Sequence, residues 1–282
     1  MRRHDGADVT SAWARDLSFA IEVGGRAGAV LMDRYERLER IHHKSAKDVV
    51  TEADHLSERL ILAAVREHSP GDGMLAEESG GHATGSGAEA TAKHGRVWVI
   101  DPLDGTVNYA NGIPFFCVSI GLVVDGQPVV GIVHDPTRGE TYAAAVDGPA
   151  LLVDRASPDG RVILASEKAA LTDFVVSLAL GGRAVATRVR AVRKAVRISR
   201  SMGAAALALA YVANGRFDAF IQSSGMSAWD VAAGGLIAAR AGAMVTDMTG
   251  GPWFDLGRPT GAVGLIAAPR AHHATLLAMS SG

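Results

Sequence analysis

Apolar residues along this chain follow two different spacings, and together they predict a mixed α/β protein. They recur every three to four positions over about 11–38 and 52–67, which predicts two amphipathic helices near the N-terminus. Between 116 and 154 they alternate with polar residues and turn residues, which predicts an antiparallel meander of strands. Strands and helices mixed in this way bury their apolar faces as layers, with helices covering sheets.

The pattern before and after the meander predicts further elements. Two strands are expected earlier, a short one at 74–78 and a buried one at 97–100, and the Gly-, Ala- and Ser-rich segment 79–95 is expected to be a surface loop. After residue 154, we expect strands at 161–165, 217–222, 243–246 and 264–268, and helices at 168–180, 202–213, 229–241 and 271–279.

The composition is that of a globular protein with a sizeable core and little net charge. Of its 282 residues 48% are hydrophobic and the net charge is −2, so charge alone predicts neither nucleic-acid nor membrane binding. The one cysteine, Cys117, cannot form an internal disulfide and favours a reducing cytoplasm. No secretory signal and no apolar run near 18 residues is present, so we expect no membrane association.

Candidate chemistry is concentrated directly after the predicted strand at 97–100. The run Asp-Pro-Leu-Asp-Gly-Thr at 101–106 offers two carboxylates, a carbonyl, backbone N–H groups and a hydroxyl within six residues. Hard cations such as Mg²⁺ take oxygen ligands from one or two carboxylates and from substrate phosphate. The run therefore predicts a metal ion that holds a phosphate group.

Three more acidic segments accompany this run. They are Asp-Val-Val-Thr-Glu-Ala-Asp at 48–54, Glu-Glu-Ser at 77–79 and Trp-Asp-Val-Ala-Ala-Gly at 229–234. In this order the four motifs resemble those of the inositol monophosphatase family of Mg²⁺-dependent, lithium-sensitive phosphatases. The resemblance spans nearly the whole chain. It implies an α/β fold, the αβαβα sandwich of the inositol monophosphatase and fructose-1,6-bisphosphatase type, with an N-terminal domain at 1–155 and a C-terminal domain at 156–282.

The resemblance also implies which residues hold two or three Mg²⁺ ions. The first ion would be bound by Glu77, Asp101 and the Leu103 carbonyl. The second would be bound by Asp101, Asp104 and Asp230. Two metals a few ångströms apart clamp the attacking water and the leaving oxygen of a phosphate ester.

Three residues are implied to handle the attacking water and its proton. Asp54 and Thr106 resemble the pair that polarises the nucleophilic water, and Glu78 resembles an outer acid acting through water. Each has an alternative interpretation as an ordinary structural residue. Asp54 is then a first-turn helix acid, Thr106 a helix N-cap and Glu78 a solvated surface side chain.

Substrate contacts are implied at both ends of the predicted site. Backbone N–H groups of Gly105 and Thr106 are expected to face the phosphate. Lys44 is expected to steer phosphate or hold a loop closed, the alternative being an exposed lysine without a role. Asp104, Asp230 and the backbone near Ala205 are implied to contact substrate hydroxyls.

Two departures from the family pattern bear on substrate selectivity. Ala204 occupies the place of the usual Ser or Thr in an Arg-x-x-Gly-(Ser/Thr)-Ala segment. The family commonly carries a Glu shortly before its Trp-Asp motif, and here the position falls on Gln222 or on Ser223, depending on the direction of counting. The implied hydrolytic residues are all present, whereas both departures fall on residues that the resemblance implies contact the substrate.

These departures leave the substrate open. Inositol 1-phosphate is favoured, with fructose 1,6-bisphosphate or a range of sugar phosphates as the alternative. Histidinol phosphate and 3′-phosphoadenosine 5′-phosphate are disfavoured, because Val107 stands where those relatives often have Lys. The basic stretch 183–200 indicates a solvated helix face, or else contact with RNA or a transcription complex. The family also implies a homodimer.

Overall fold

The computed structural model describes residues 11–35, 41–45, 48–82 and 95–281, and for 41–45, 48–50, 81 and 82 it describes the backbone alone. These residues form seven α-helices and fifteen strands. The helices are α1 (Ala14–Arg34), α2 (Glu52–His68), α3 (Thr106–Ala110), α4 (Val185–Ala195), α5 (Ala205–Ala213), α6 (Ala228–Arg240) and α7 (Arg270–Ser280). The strands are β1 (Ile41–Ser45), β2 (Asp48–Thr51), β3 (Gly73–Ala76), β4 (Gly80–His82), β5 (Arg96–Asp104), β6 (Cys117–Val124), β7 (Gln127–Asp135), β8 (Glu140–Ala145), β9 (Ala150–Asp154), β10 (Ser157–Val162), β11 (Val175–Ala179), β12 (Ile198–Arg200), β13 (Ala219–Met226), β14 (Ala243–Asp247) and β15 (Val263–Pro269).

Two mixed sheets contain most of the strands. The first has eight strands in the order β10-β9-β8-β7-β6-β5-β3-β4, and only β3 and β5 run parallel to each other. The second has five strands in the order β12-β11-β13-β15-β14, with β11 parallel to both of its neighbours. The hairpin β1-β2 stands apart from both sheets. The predicted antiparallel meander is confirmed as β6 to β9.

The two sheets alternate with three helical layers. Helices α1 and α2 cover the outer face of the eight-stranded sheet, and their apolar residues form one core with it. Helices α5 and α6 lie between the sheets in the largest core cluster. Helices α4 and α7 cover the far face of the five-stranded sheet. This αβαβα order confirms the predicted architecture.

Glycines allow close contact between the first helix and its sheet. A Cβ built on Gly28 would lie 2.4 Å from Cδ2 of His134, and one built on Gly24 would lie 2.6 Å from Cδ1 of Ile132. Real Cβ atoms do not approach other heavy atoms this closely, so α1 can lie against β7 only because these positions lack side chains. These two glycines therefore serve close packing of the helix against the sheet.

The predicted helix at 168–180 is wrong. The segment forms a short 3₁₀ turn at Leu171–Asp173 and then strand β11. Its apolar residues occur at spacings that fit either element, and Val175 and Val176 favour a strand through their branched Cβ atoms. Pairing with β12 and β13 on both sides decides the outcome, because it satisfies the backbone N–H and C=O groups of an interior strand of the sheet.

Several predicted boundaries move by a few residues. The strand expected at 161–165 is β10, which ends at Val162, and the helix expected from 202 begins at Ala205. Residues 80–82 of the predicted loop pair as β4, while 83–94 lie outside the described residues. The predicted domain boundary at residue 155 falls between β9 and β10, which pair in one sheet. The division into two domains stays a prediction.

Candidate active site

The acidic run 101–106 lies where β5 ends and α3 begins. The register between β5 and β6 shifts between Asp101 and Asp104, and an oxygen of Asp101 accepts a hydrogen bond from the N–H of Leu103 at 3.0 Å. Gly105 then adopts φ 92°, and a Cβ there would lie 3.0 Å from Cβ of Ala204. Only glycine tolerates both this φ and this contact, so the turn after the two carboxylates depends on it.

Three carboxylates from two distant parts of the chain converge at this turn. Asp101 and Asp104 come from β5 and Asp230 from the first turn of α6, and one oxygen of each lies within 4.8 Å of the others. The geometry brings together three of the predicted metal ligands. Glu77 follows β3, the parallel neighbour of β5, and its N–H donates to the carbonyl of Ile100 at 3.1 Å.

Burial and mutual repulsion raise the pKa values of this carboxylate cluster. Burial raises the pKa of Asp101 well above its usual range, and the charge of Glu77 raises it further. Burial and then the charge of Asp104 raise the pKa of Asp230 well above its usual range. The pKa of Asp104 rises to about 6, again through burial, although backbone N–H donors oppose the shift. A bound cation would offset these costs, since it stabilises the ionised forms.

The first turn of α2 brings Asp54 to the same site. Its Oδ2 accepts from the N–H of Thr51 at 2.8 Å and from the Thr51 hydroxyl at 2.6 Å, which is a capping box. Its Oδ1 lies 3.0 Å from the Thr106 hydroxyl, which also lies 3.0 Å from the Leu103 carbonyl. Asp54 is therefore a first-turn helix acid and also a neighbour of Thr106. Burial raises its pKa to about 6.

Thr106 is not a helix N-cap, so that alternative interpretation is wrong. Gly105 occupies the N-cap position and Thr106 is the first residue of α3. The N–H groups of a helix's first turn have no intrahelical acceptor, which leaves this end of α3 able to bind an anion.

Asp104 also contacts the N-terminus of α5, about a hundred residues later in the chain. Its carboxylate accepts from the N–H groups of Ala205 at 3.1 Å and Ala206 at 2.7 Å. The N-cap residue of α5 is Ala204, which has no side-chain oxygen for this purpose. Asp104 therefore caps α5 in place of an N-cap side chain, and its charge also suits the helix dipole.

Two neighbouring cavities with shared lining residues contain these groups. The smaller, of about 160 Å³, is lined by Glu77, Asp101, Asp104, Asp230, Leu103 and the start of α3. The larger, of about 310 Å³, shares Asp104 and Asp230 with it and extends over α5 and β13. The first is suited to a metal ion with phosphate, and the second to the rest of a small molecule.

The larger cavity distinguishes the two candidate selectivity residues. Gln222 lines it, whereas Ser223 faces the other side of β13, where its hydroxyl accepts from the N–H of Gly181 at 2.8 Å. Ala205 also lines the larger cavity. Of the two ways of counting along the sequence, the forward count to Gln222 is the one that reaches the site.

Sequence reasoning missed Glu58, a buried carboxylate on α2. Its Oε2 accepts from the N–H of Glu78 at 2.9 Å, and its Oε1 accepts from the hydroxyl of Ser79. One residue before it, the Ser57 hydroxyl donates to the carbonyl of Pro102 at 2.9 Å. The spacing of Asp54, Ser57 and Glu58 puts them on one helical face, and this row of polar residues was the available signal.

Two predicted residues take less defined places. Glu78 is half-buried, and its charge contributes to the raised pKa of Asp54, so the two side chains lie near each other. Lys44 belongs to β1, and its side chain lies outside the described residues.

Comparison with known proteins points to one family. A model described as the inositol monophosphatase family matches residues 13–281. A Solanum lycopersicum protein named inositol monophosphatase 2 is 36% identical over 247 residues, which cover 85% of this chain and 89% of that protein. A Thermotoga maritima protein named fructose-1,6-bisphosphatase/inositol-1-monophosphatase is 34% identical over 235 residues, covering 83% and 85%.

A solved structure shares the whole architecture. The extragenic suppressor protein suhB from Bartonella henselae superposes with a TM-score of 0.82 at 30% identity, over 94% of this chain and 97% of that one. None of the helices in the described part of the chain combines the length and apolarity needed to cross a bilayer.

Proposed function

Because the chain belongs to the inositol monophosphatase family of metal-dependent phosphate monoester hydrolases, we propose that it hydrolyses inositol 1-phosphate or a similar small polyol phosphate with Mg²⁺. The observation that carries this proposal is the convergence of Asp101, Asp104 and Asp230 oxygens within 4.8 Å. The cluster borders a cavity large enough for a phosphate group, and two of its carboxylates, Asp104 and Asp230, also border a second cavity.

The donor set supports a hard divalent cation. All candidate ligands are oxygens, and the raised pKa values of the buried carboxylates indicate uncompensated negative charge. We propose Glu77, Asp101 and the Leu103 carbonyl for a first Mg²⁺, and Asp101, Asp104 and Asp230 for a second, with a third ion possible in the family pattern. When bound, Mg²⁺ stabilises charge on the phosphate and lowers the pKa of bound water.

Asp54 and Thr106 are proposed to orient the attacking water. The Thr106 hydroxyl donates to Oδ1 of Asp54, which leaves its oxygen lone pairs free to accept a hydrogen bond from water and leaves the Asp54 carboxylate as the final proton acceptor. Thr51 holds the other oxygen of Asp54 through two hydrogen bonds, so the carboxylate has a fixed orientation. Glu78 is proposed to act through water on the same side.

The remaining contacts are proposed to hold the substrate. The first turn of α3, at Gly105 and Thr106, offers N–H groups to the phosphate, and Lys44 is proposed to attract it. Asp104, Asp230, Gln222 and the backbone at Ala205 are proposed to contact the hydroxyls of the leaving alcohol, since all four border the larger cavity. Ser223 is dropped from this set, because its side chain lines a different cavity.

Gln222 bears on which alcohol the enzyme releases from its substrate. Gln222 can donate and accept hydrogen bonds but carries no charge, which supports a broad sugar phosphatase or fructose-1,6-bisphosphatase as the alternative. The Thermotoga relative, named for both activities, supports keeping the two substrates together.

Phosphate release from a substrate panel tests the proposal. The panel contains inositol 1-phosphate, fructose 1,6-bisphosphate, histidinol phosphate and 3′-phosphoadenosine 5′-phosphate, each with Mg²⁺ and with or without lithium. We expect the first two to be hydrolysed fastest and lithium to inhibit. No Mg²⁺-dependent release from any of them would contradict the proposal.

Asp101→Asn is the variant that tests the metal assignment. Because Asp101 is proposed to contact both ions, we expect its loss to lower kcat by roughly a thousandfold. Asp159→Asn makes the same chemical change at an exposed residue of β10 and should leave kcat unaltered. Near-normal activity of Asp101→Asn, with circular dichroism showing that both variants fold, would refute the assignment.

A role as an RNA or transcription-complex partner is the second candidate. Helix α4 exposes Arg190, Arg193 and Lys194, and the segment 174–217 contains no Asp or Glu. Neutralising Arg190, Arg193 and Arg197 together should abolish RNA binding and spare hydrolysis if this role exists. We propose instead that the protein acts on small molecules and has no nucleic-acid or membrane partner. We also propose that it is a homodimer and that it acts in the cytoplasm. Light scattering of the purified protein tests the dimer.

A further inference from the structure

A third cavity, of about 640 Å³, lies on the opposite side of β13 from the candidate active site. Gln222 lines the active-site cavity and the next residue, Ser223, lines this one, because successive side chains of a strand face opposite sides of the sheet. Arg188 of α4 and Ser280 of α7 also border it. We call it the arginine cavity, defined by Arg183, Arg188, Ser223, Ser224 and Ser281.

The arginine cavity carries positive charge without a carboxylate in its lining. Arg183 and Arg188 both border it, and none of its described lining residues is acidic. The nearest acid along the chain is Asp247, whose two oxygens are occupied by the N–H and hydroxyl of Thr249, the N–H of Gly251 and the guanidinium of Arg258. Among the described residues that line the cavity, none therefore neutralises its positive charge.

Among the described residues, Arg188 is held in place by neutral acceptors. Its guanidinium donates to the carbonyls of Ser280 at 2.9 Å, Arg183 at 2.9 Å and Gly181. Its Nε is buried and has no hydrogen-bond partner among the described residues. Leaving a buried N–H unsatisfied costs free energy, and a bound water or ion is one of the partners that satisfy such groups in native proteins. The Arg188 side chain is thus a cation whose orientation is fixed by backbone carbonyls on the wall of the cavity.

Further donors surround this fixed cation. The Ser223 hydroxyl accepts from the N–H of Gly181 at 2.8 Å, which leaves its own proton free to donate. The loop 181–184 has left-handed backbone at Gly182 (φ 83°) and at Ala184 (φ 52°), and α4 begins directly after it without a side-chain cap. The positive end of the α4 dipole therefore lies beside the same loop.

We propose that the arginine cavity binds the phosphate group of a small phosphorylated molecule, at a site separate from the active site. Guanidinium groups, hydroxyls and a helix N-terminus are the donors that proteins use for phosphate. The cavity volume lies in the range that accommodates a metabolite-sized ligand, so the organic part of the molecule also has room.

Calorimetric titration of the full chain tests this site. The probes are inorganic phosphate and glucose 6-phosphate, each titrated with excess EDTA and again with Mg²⁺. Binding at the arginine cavity is the component that does not need Mg²⁺. Its absence would therefore refute the arginine-cavity proposal without bearing on the proposed phosphatase site. Tighter binding of glucose 6-phosphate assigns the cavity to phosphate esters, and equal binding assigns it to bare phosphate.

Arg183→Gln and Arg190→Gln form the matched pair of variants. Arg183 lines the cavity. Arg190 is exposed on the neighbouring helix α4 and does not line it. We expect Arg183→Gln to weaken Mg²⁺-independent binding about tenfold and Arg190→Gln to leave it unchanged. Ser224→Ala provides a second, milder variant with a smaller loss. Absence of Mg²⁺-independent binding, equal loss in both arginine variants, or acetate binding as tightly as phosphate would overturn the proposal.

Discussion

Asp104 takes part in two sets of contacts. It is one of the three converging carboxylates, and it also accepts the N–H groups at the start of α5. Because Ala204 offers no oxygen, the helix depends on a side chain from the other sheet. A ligand bound by Asp104 is therefore expected to affect the position of α5, whose first residues border the larger cavity.

Gln222 and Ser223 can be separated by their alanine variants. Gln222 lines the substrate cavity and Ser223 does not, so we expect Gln222→Ala to lower kcat/KM for inositol 1-phosphate about tenfold. Ser223→Ala should leave it within about twofold. Kinetics with the preferred substrate measure both. The reverse order of effects would mean that the backward count, and not the forward one, locates the selectivity position.

Glu58 is predicted to act through the turn that carries Glu77. Replacing it by Gln puts an amide where a carboxylate accepts from Glu78 and Ser79, so the turn loosens. We expect Glu58→Gln to raise the Mg²⁺ concentration for half-maximal rate about tenfold, with kcat largely recovered at saturating Mg²⁺.

Glu67→Gln is the matched control, since Glu67 is exposed on the same helix. It should leave the Mg²⁺ dependence unchanged. If Glu58→Gln lowers thermal stability but leaves the Mg²⁺ dependence unaltered, its role is structural and the positioning role is refuted.

The position of helix α1 on the sheet depends on two glycines that have no side chain. Gly24 and Gly28 let it approach β7, whereas Gly25 has no heavy atom within 4 Å of its Cβ position. The periodic apolar pattern that predicts the helix does not distinguish these glycines. Their contacts depend on which face meets the sheet, and this face is set by tertiary packing.

Alanine substitutions at two glycines of α1 should therefore change the free energy of unfolding in opposite directions. We expect Gly28→Ala to lower the free energy of unfolding by about 1–3 kcal/mol, because the new methyl group overlaps His134. Gly25→Ala should raise it by about 0.5–1 kcal/mol, because alanine loses less backbone entropy in a helix. Urea denaturation measures both. A destabilised Gly25→Ala, or a tolerated Gly28→Ala, would show that α1 does not lie on β7 as described.

The whole molecule converges on the carboxylate cluster. Asp101 and Asp104 belong to the eight-stranded sheet, and Asp230 to a helix packed between the sheets. Ions held by both parts link the layers, and the buried carboxylates repel one another until a cation binds. Metal binding is therefore expected to contribute to stability of the whole chain.

Mg²⁺ should raise the melting temperature of the metal-free protein. At a concentration a hundred times Kd, one site adds about 2.7 kcal/mol, which corresponds to a rise of about 5 °C or more for a chain of this length. Differential scanning fluorimetry measures the shift. Asp230→Asn should abolish most of it and Asp159→Asn should retain it. A melting temperature that ignores saturating Mg²⁺ would argue against a convergent metal site.

Much of this protein follows from local patterns. The meander, the layered class and most helices were predicted, because apolar period and turn residues act over a few positions. The four acidic motifs also identified the family, which the comparisons confirm. The helix expected at 168–180 failed for a reason of the same kind. Its apolar spacing fits two elements, and only pairing with β12 and β13 selects the strand.

Contacts between distant segments could not be obtained from the sequence. Whether Gln222 or Ser223 reaches the cavity depends on the register of β13, and the cap that Asp104 gives α5 joins residues about a hundred positions apart. Glu58 is likewise explained only by the turn that it holds. Local sequence determines the chemistry and the type of element, because those depend on neighbours along the chain. Packing determines which side chains meet, because that depends on how the layers are stacked.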